Sequence, residues 1–201
     1  MSSRVTVTPD PFTLIDYDVA TISAIVEDAA ALVGFAPGVE ISLEVDEELF
    51  SPLTGHMVDV VDGRAQLWIS GANFEDTRRP RHFEPTQART DLVQMMLRAN
   101  DRLSEDFADA PVDRELTRGQ RIAWDIYAIG RSQRLGLTVR RPRELYDFRL
   151  QHGFTDVADA AFERCWNAER MTWAGIAEIC KETGAAGRGP SKVPVDLLRN
   201  K

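Results

Sequence analysis

Histidine and cysteine are scarce in this chain of 201 residues, which holds three of the first and two of the second. His56, His82 and His152 stand far apart, and none has a second histidine or a cysteine at ligand spacing. A zinc centre needs three or four such ligands drawn together, so no metal and no cofactor are expected. Cys165 and Cys180 fall in helix-like sequence and read as reduced, partly buried thiols of a cytoplasmic protein. Also missing is any apolar run long enough to span a membrane. The first ten residues carry one positive charge, Arg4, and no continuous apolar segment, so no secretory signal is expected. Positive charge is scarce early in the chain. Residues 1–63 hold twelve acids against Arg4 alone, a formal charge of −11, so the remainder of a chain with net charge −8 carries +3. Such an acidic segment repels nucleic acid. No Gly-x-Gly-x-x-Gly, Walker loop or Gly-x-Ser-x-Gly elbow is present.

What is present is periodicity. Ile22, Val26, Ala29 and Val33 recur at helical spacing after Asp18, a good N-cap, and predict a helix over 19–33 ended by Gly34. Val39 to Val45 alternates strictly between apolar and polar, the pattern of a strand buried on one face. Residues 57–61 and 64–70 flank Asp62-Gly63, a strong hairpin signal because a type I′ turn needs positive φ at both central residues. A two-residue loop then sets Val58 opposite Leu67, Asp59 opposite Gln66 and Met57 opposite Trp68. The Met57–Trp68 pair falls on the outer face, either as cover for another element or as part of a binding surface. Residues 71–86 lack periodicity and read as a long polar loop, the kind that carries function. This loop holds the basic cluster Arg78, Arg79, Arg81 and His82.

The central helix follows, starting near Thr86 or Thr90. Leu92, Met96, Ala99, Leu103 and Phe107 line one face, which puts Asp91, Gln94, Arg98, Asp101, Arg102 and Glu105 on the other. Thr117 and Gln120 form a capping box for the next helix, with Ile122, Ile126 and Ile129 on one stripe. Shorter helices are expected over 143–152, from 157 to about 170, and from Thr172 through Cys180. The fold class is therefore α+β: a small three-stranded sheet with an Asp-Gly hairpin packed on a central helix, then a helical C-terminal half. Residues 1–183 are expected to form one domain, with a helical extension at 142–183 and a flexible tail at 184–201.

The order of elements over residues 19–136 resembles the reduced core of zincin-like metallopeptidases. In that family the last strand borders the substrate groove. The central helix supplies two zinc ligands and the general base from His-Glu-x-x-His. No such motif stands here, and the central helix offers arginine, asparagine and aspartate instead. The resemblance implies a degenerate member without zinc, which binds a peptide or protein in a groove between strand 64–70 and helix 90–106. Trp68, Met57, Arg78, Arg79, Arg81 and His82 are its candidate contacts. The alternative is a hydrolase using carboxylates in a cleft. Asp125, at the edge of an apolar stripe and four residues from Arg121, and Asp101 are the candidate acids.

Overall fold

A computed structural model describes residues 4–76 and 78–185, apart from the side chain of Pro80. The 184–201 tail therefore lies almost wholly outside the described residues. The chain forms two compact units, one ending at Asn100 and the other beginning at Asp101. The sequence marks no boundary there, because a single periodic helix runs through it. Among the described residues no helix is long and apolar enough to cross a membrane.

The first unit holds β1 (Val5–Thr8), α1 (Val19–Leu32), β2 (Ile41–Asp46), β3 (His56–Val61) and β4 (Arg64–Ser70). Next come β5 (Glu75–Asp76), β6 (Arg79–Phe83) and most of α2 (Pro85–Leu103). Asp18 caps α1 by accepting from the Thr21 amide at 2.7 Å and from its hydroxyl at 2.6 Å. Ile22, Val26 and Ala29 are buried along α1.

The main sheet has four strands in the order β1-β2-β4-β3, not three. The added strand is β1, which pairs parallel with β2, Val5 beside Ile41 and Val7 beside Leu43. Its four residues lie just ahead of Pro9 and Pro11, too short a stretch for alternation to be recognised. β2 runs parallel to β4, and β3 antiparallel to β4. In the latter pair Val61 meets Arg64, Asp59 meets Gln66 and Met57 meets Trp68. Asp62 and Gly63 between them have φ of 52° and 74°. Ile41, Leu43, Val45, Ala65, Leu67, Ile69 and Val58 form the buried face. Each large side chain so buried contributes about 2 kcal/mol.

α2 departs from its sequence reading. Leu92, Val93, Met95, Met96, Leu97 and Ala99 are buried over a face wider than the single apolar stripe, and Arg98, placed on the polar side by helical spacing, is only 1% exposed. Burial of a guanidinium is tolerable only where its donors meet acceptors.

The second unit packs α3 (Arg118–Arg134) against α4 (Arg141–His152), α5 (Asp156–Asn167) and α6 (Trp173–Glu182). Both halves of the capping box form: Thr117 N donates to Gln120 Oε1 at 2.8 Å, and Gln120 N donates to Thr117 Oγ1 at 3.2 Å. Trp124, Phe148, Phe162 and Trp166 fill the core. Cys165 and Cys180 are free and buried within it, and burial pushes both thiols up to about 12.

Two glycines carry testable consequences. Gly63→Val places a β-branched residue at φ 74° and should cost about 1–3 kcal/mol, seen as a lower urea midpoint at unchanged slope. A β-carbon at Gly130 would fall 2.1 Å from the Trp166 carbonyl oxygen. Backbone cannot yield as a side chain does, so Gly130→Ala should lose at least about 3 kcal/mol and blunt the near-ultraviolet tryptophan signal.

Candidate functional site

The segment that sequence reads as a shapeless loop is structured. Ser70 ends β4 and caps a 3-10 turn over Gly71–Phe74, its Oγ accepting from Ala72 N at 3.2 Å and donating to Leu53 O at 2.7 Å. β5 and β6 follow as an antiparallel pair with Glu75 beside Phe83. Below this hairpin lie Phe12, Tyr17, Phe74 and Phe83, with neighbouring ring centroids 5.2–6.3 Å apart. Tyr17 donates its hydroxyl to Gly71 O at 2.8 Å. Burial, with the Glu75 charge beside it, pushes that phenol well above its ordinary value. Glu75 is itself buried, and its Oε1 meets no donor among the described residues.

Arg81 organises the exposed side. Its φ is 64°, the left-handed region that a non-glycine residue enters only at a cost. Its Nη1 donates to Leu14 O at 3.0 Å, and its guanidinium carbon stands 5.0 Å from the centroid of the Phe50 ring. Leu14 is 51% exposed, Phe50 49% and Leu53 47%. The acids nearby are engaged. Burial alone would raise Glu47, but hydrogen bonds from Leu14 N, Thr13 N and the Thr13 hydroxyl hold its carboxyl below the ordinary range. Asp76 is also held low, by hydrogen bonds from Arg78 N and from Arg79 Nε at 2.9 Å. Arg78 and His82 are exposed, and His82 forms a bridge with Asp16.

A second polar cluster joins β3, the 3-10 turn and α2. Asp91 accepts from Asn73 Nδ2 at 3.2 Å and from Gln87 Nε2 at 2.8 Å. The other end of the Asn73 amide accepts from Gly55 N at 2.9 Å. Arg98 Nη1 lies 3.4 Å from His56 Nε2. A guanidinium only donates, so that contact requires the imidazole nitrogen to accept. Burial raises the Asp91 carboxyl to about 6, against the lowering pull of Asn73, His56 and Gln87. Sequence reasoning passed over Asp91. Its signal was the spacing of Gln87, Asp91, Gln94 and Arg98, a polar stripe as regular as the apolar one.

The structure separates the other candidates. Trp68 is buried, packed with Leu49 and with Met57 over it, so the outer-face pair serves as cover. β4 lies between β2 and β3 and presents no outer backbone edge. Asp101, read as lying on the polar face of the central helix and as a candidate acid in a cleft, is buried. It accepts from Trp124 Nε1 at 2.8 Å and from Arg131 at 2.8 and 2.6 Å. Asp125 is partly buried on α3, and Arg121 donates to Asp113 at 2.6 Å. His152 is buried against Thr183 Oγ1 at 2.7 Å and Gly119 O at 3.0 Å. Among the described residues no three histidine, cysteine, aspartate or glutamate side chains converge as a metal site. No family model, no curated protein and no solved structure matches this chain.

The Asp91 environment predicts a pH dependence of stability. The folded carboxyl, raised to about 6, keeps its proton where the unfolded chain has already lost it. Stability therefore falls as pH rises from about 4 to about 6, by of order 2 kcal/mol, and levels off above. Urea midpoints across this window should fall with pH in the parent protein relative to Asp91→Asn, and the difference between the two should level off above about pH 6.

Proposed function

We propose that this chain is a partner-binding protein with a zincin-like layout and none of the zinc chemistry, and that it binds through the β5–β6 hairpin surface. The observation that carries this reading is Arg81, in a costly backbone conformation with its guanidinium on the Leu14 carbonyl and over the Phe50 ring, both residues half exposed. Strain kept at a surface position points to use of that position. Exposed aromatic and aliphatic groups around an arginine have the composition of an interface hot spot. Strand 64–70 takes no part in this surface, because its backbone is paired on both sides and Trp68 is covered.

A second reading rests on Asp91. An acid titrating near 6, grouped with His56, suits general acid–base chemistry better than Asp101, whose oxygens already accept three donors.

Capture from lysate of the source organism, followed by mass spectrometry, compares the parent with Leu14→Ser/Phe50→Ser and with Tyr146→Ser, an exposed residue of the second unit, as a surface control. The expected result is a partner held by the parent and the control and lost by the double variant. A partner indifferent to the double variant, or peptidase activity that a chelator abolishes, would overturn the reading. Hydrolysis of chromogenic esters or phosphates that disappears in Asp91→Asn would favour the acid–base alternative.

A further inference from the structure

The hairpin surface has a charge that the rest of its unit lacks. We infer that its occupant is a linear segment of a partner protein that sets acidic side chains beside apolar ones. This inference rests on the reading that the hairpin surface is the binding face. Residues 1–63 carry one base against twelve acids, yet Arg78, Arg79 and Arg81 fall within four positions of each other. Arg79 pairs with Asp76 at 2.9 Å, and the Arg78 charge also acts on that carboxylate. Arg78 makes no ion pair among the described residues, and the Arg81 guanidinium meets a neutral carbonyl and a ring rather than a carboxylate. One of these cations, Arg81, thus stands on the Leu14 carbonyl and over the Phe50 ring, both residues about half exposed, and Arg78 lies three positions before it on the same hairpin. Fork-shaped guanidinium donors suit carboxylate oxygens, and the apolar groups suit aliphatic or aromatic side chains spaced a few residues away.

The acids around the patch select against other anions. Glu47 accepts from Thr13 N and Leu14 N, and the Asp16 backbone bridges that of His82, so both acids lie beside the patch. A nucleic acid or an anionic membrane would spread negative charge over them as well as over the arginines, and the repulsion would offset the gain. A peptide with one or two carboxylates places its charge only where the guanidinium groups are.

A random peptide library displayed on phage, selected on the full-length protein, tests the inference. Enriched peptides are then synthesised with a fluorescent label and titrated by anisotropy. The expected consensus pairs aspartate or glutamate with leucine, phenylalanine or tryptophan. Its Kd should rise about tenfold in Arg78→Glu and in Arg81→Glu, and rise again from about 50 to about 300 mM potassium chloride. Arg81→Gly suits the left-handed backbone, so its loss of binding reports the guanidinium and not misfolding. Peptides that need Phe50 but ignore both arginines and salt would overturn the acidic class while leaving the binding face standing. Peptides that bind Leu14→Ser/Phe50→Ser as well as the parent would reject the face itself. Failure to enrich any peptide would reject a linear segment. A dimer in light scattering that Phe50→Ser dissolves would make a second copy of the chain the occupant.

Discussion

Asp101 is a buried carboxylate, and the second unit is assembled on the requirement that its charge be met. Trp124 Nε1 and both terminal nitrogens of Arg131 donate to it, all from α3. Arg131 in turn lies 3.8 Å from the Tyr127 ring centroid, and Arg102 lies 4.8 Å from that of Trp124. Asp113 repeats the device, taking Arg102 at 3.2 Å and Arg121 at 2.6 Å. Removing one member of such a buried group strands an unmatched charge and costs about 3–5 kcal/mol. These pairs therefore fix which turn of α3 meets the end of α2, a register that apolar packing alone leaves loose.

How much of this was legible in the sequence depended on the range of the interaction. Asp18, Thr117 with Gln120, Thr155 and Thr172 are caps whose donors and acceptors lie within three residues, and the structure places hydrogen bonds at each. The alternation of Ile41, Leu43 and Val45 is equally local, and all three side chains are buried. What escaped was set by partners far along the chain. Arg98 and Asp101 belong on the polar side by helical spacing, but their acceptors and donors come from residues 42 positions before and 30 positions after. β1 escaped because four residues are too few to show a period and its partner lies on β2. The 71–86 segment was recognised as unusual but not as structured. Its order comes from Tyr17, Leu14 and Phe50, none of them neighbours in sequence.

The two regions of the first unit that hold chemistry differ in kind. The Asp91 cluster is inward, with the Asn73 side chain spanning a backbone amide and a carboxylate, so most of its capacity is already spent inside the fold. The Arg81 surface is outward; Glu47 is tied to backbone amides and Asp76 to an amide and to Arg79, while the Arg81 guanidinium meets a carbonyl and a ring. Interior networks of the first sort specify a fold, and exterior ones of the second sort recruit other molecules.

The left-handed backbone at Arg81 also bears on how this protein would respond to selection. At φ 64° glycine is the residue the backbone prefers. Any pressure for heat tolerance alone, without pressure on binding, would drive arginine out of this position. Repeated passage of a library through thermal challenge would then uncover the place where stability and use oppose each other, and would mark it without knowledge of the ligand.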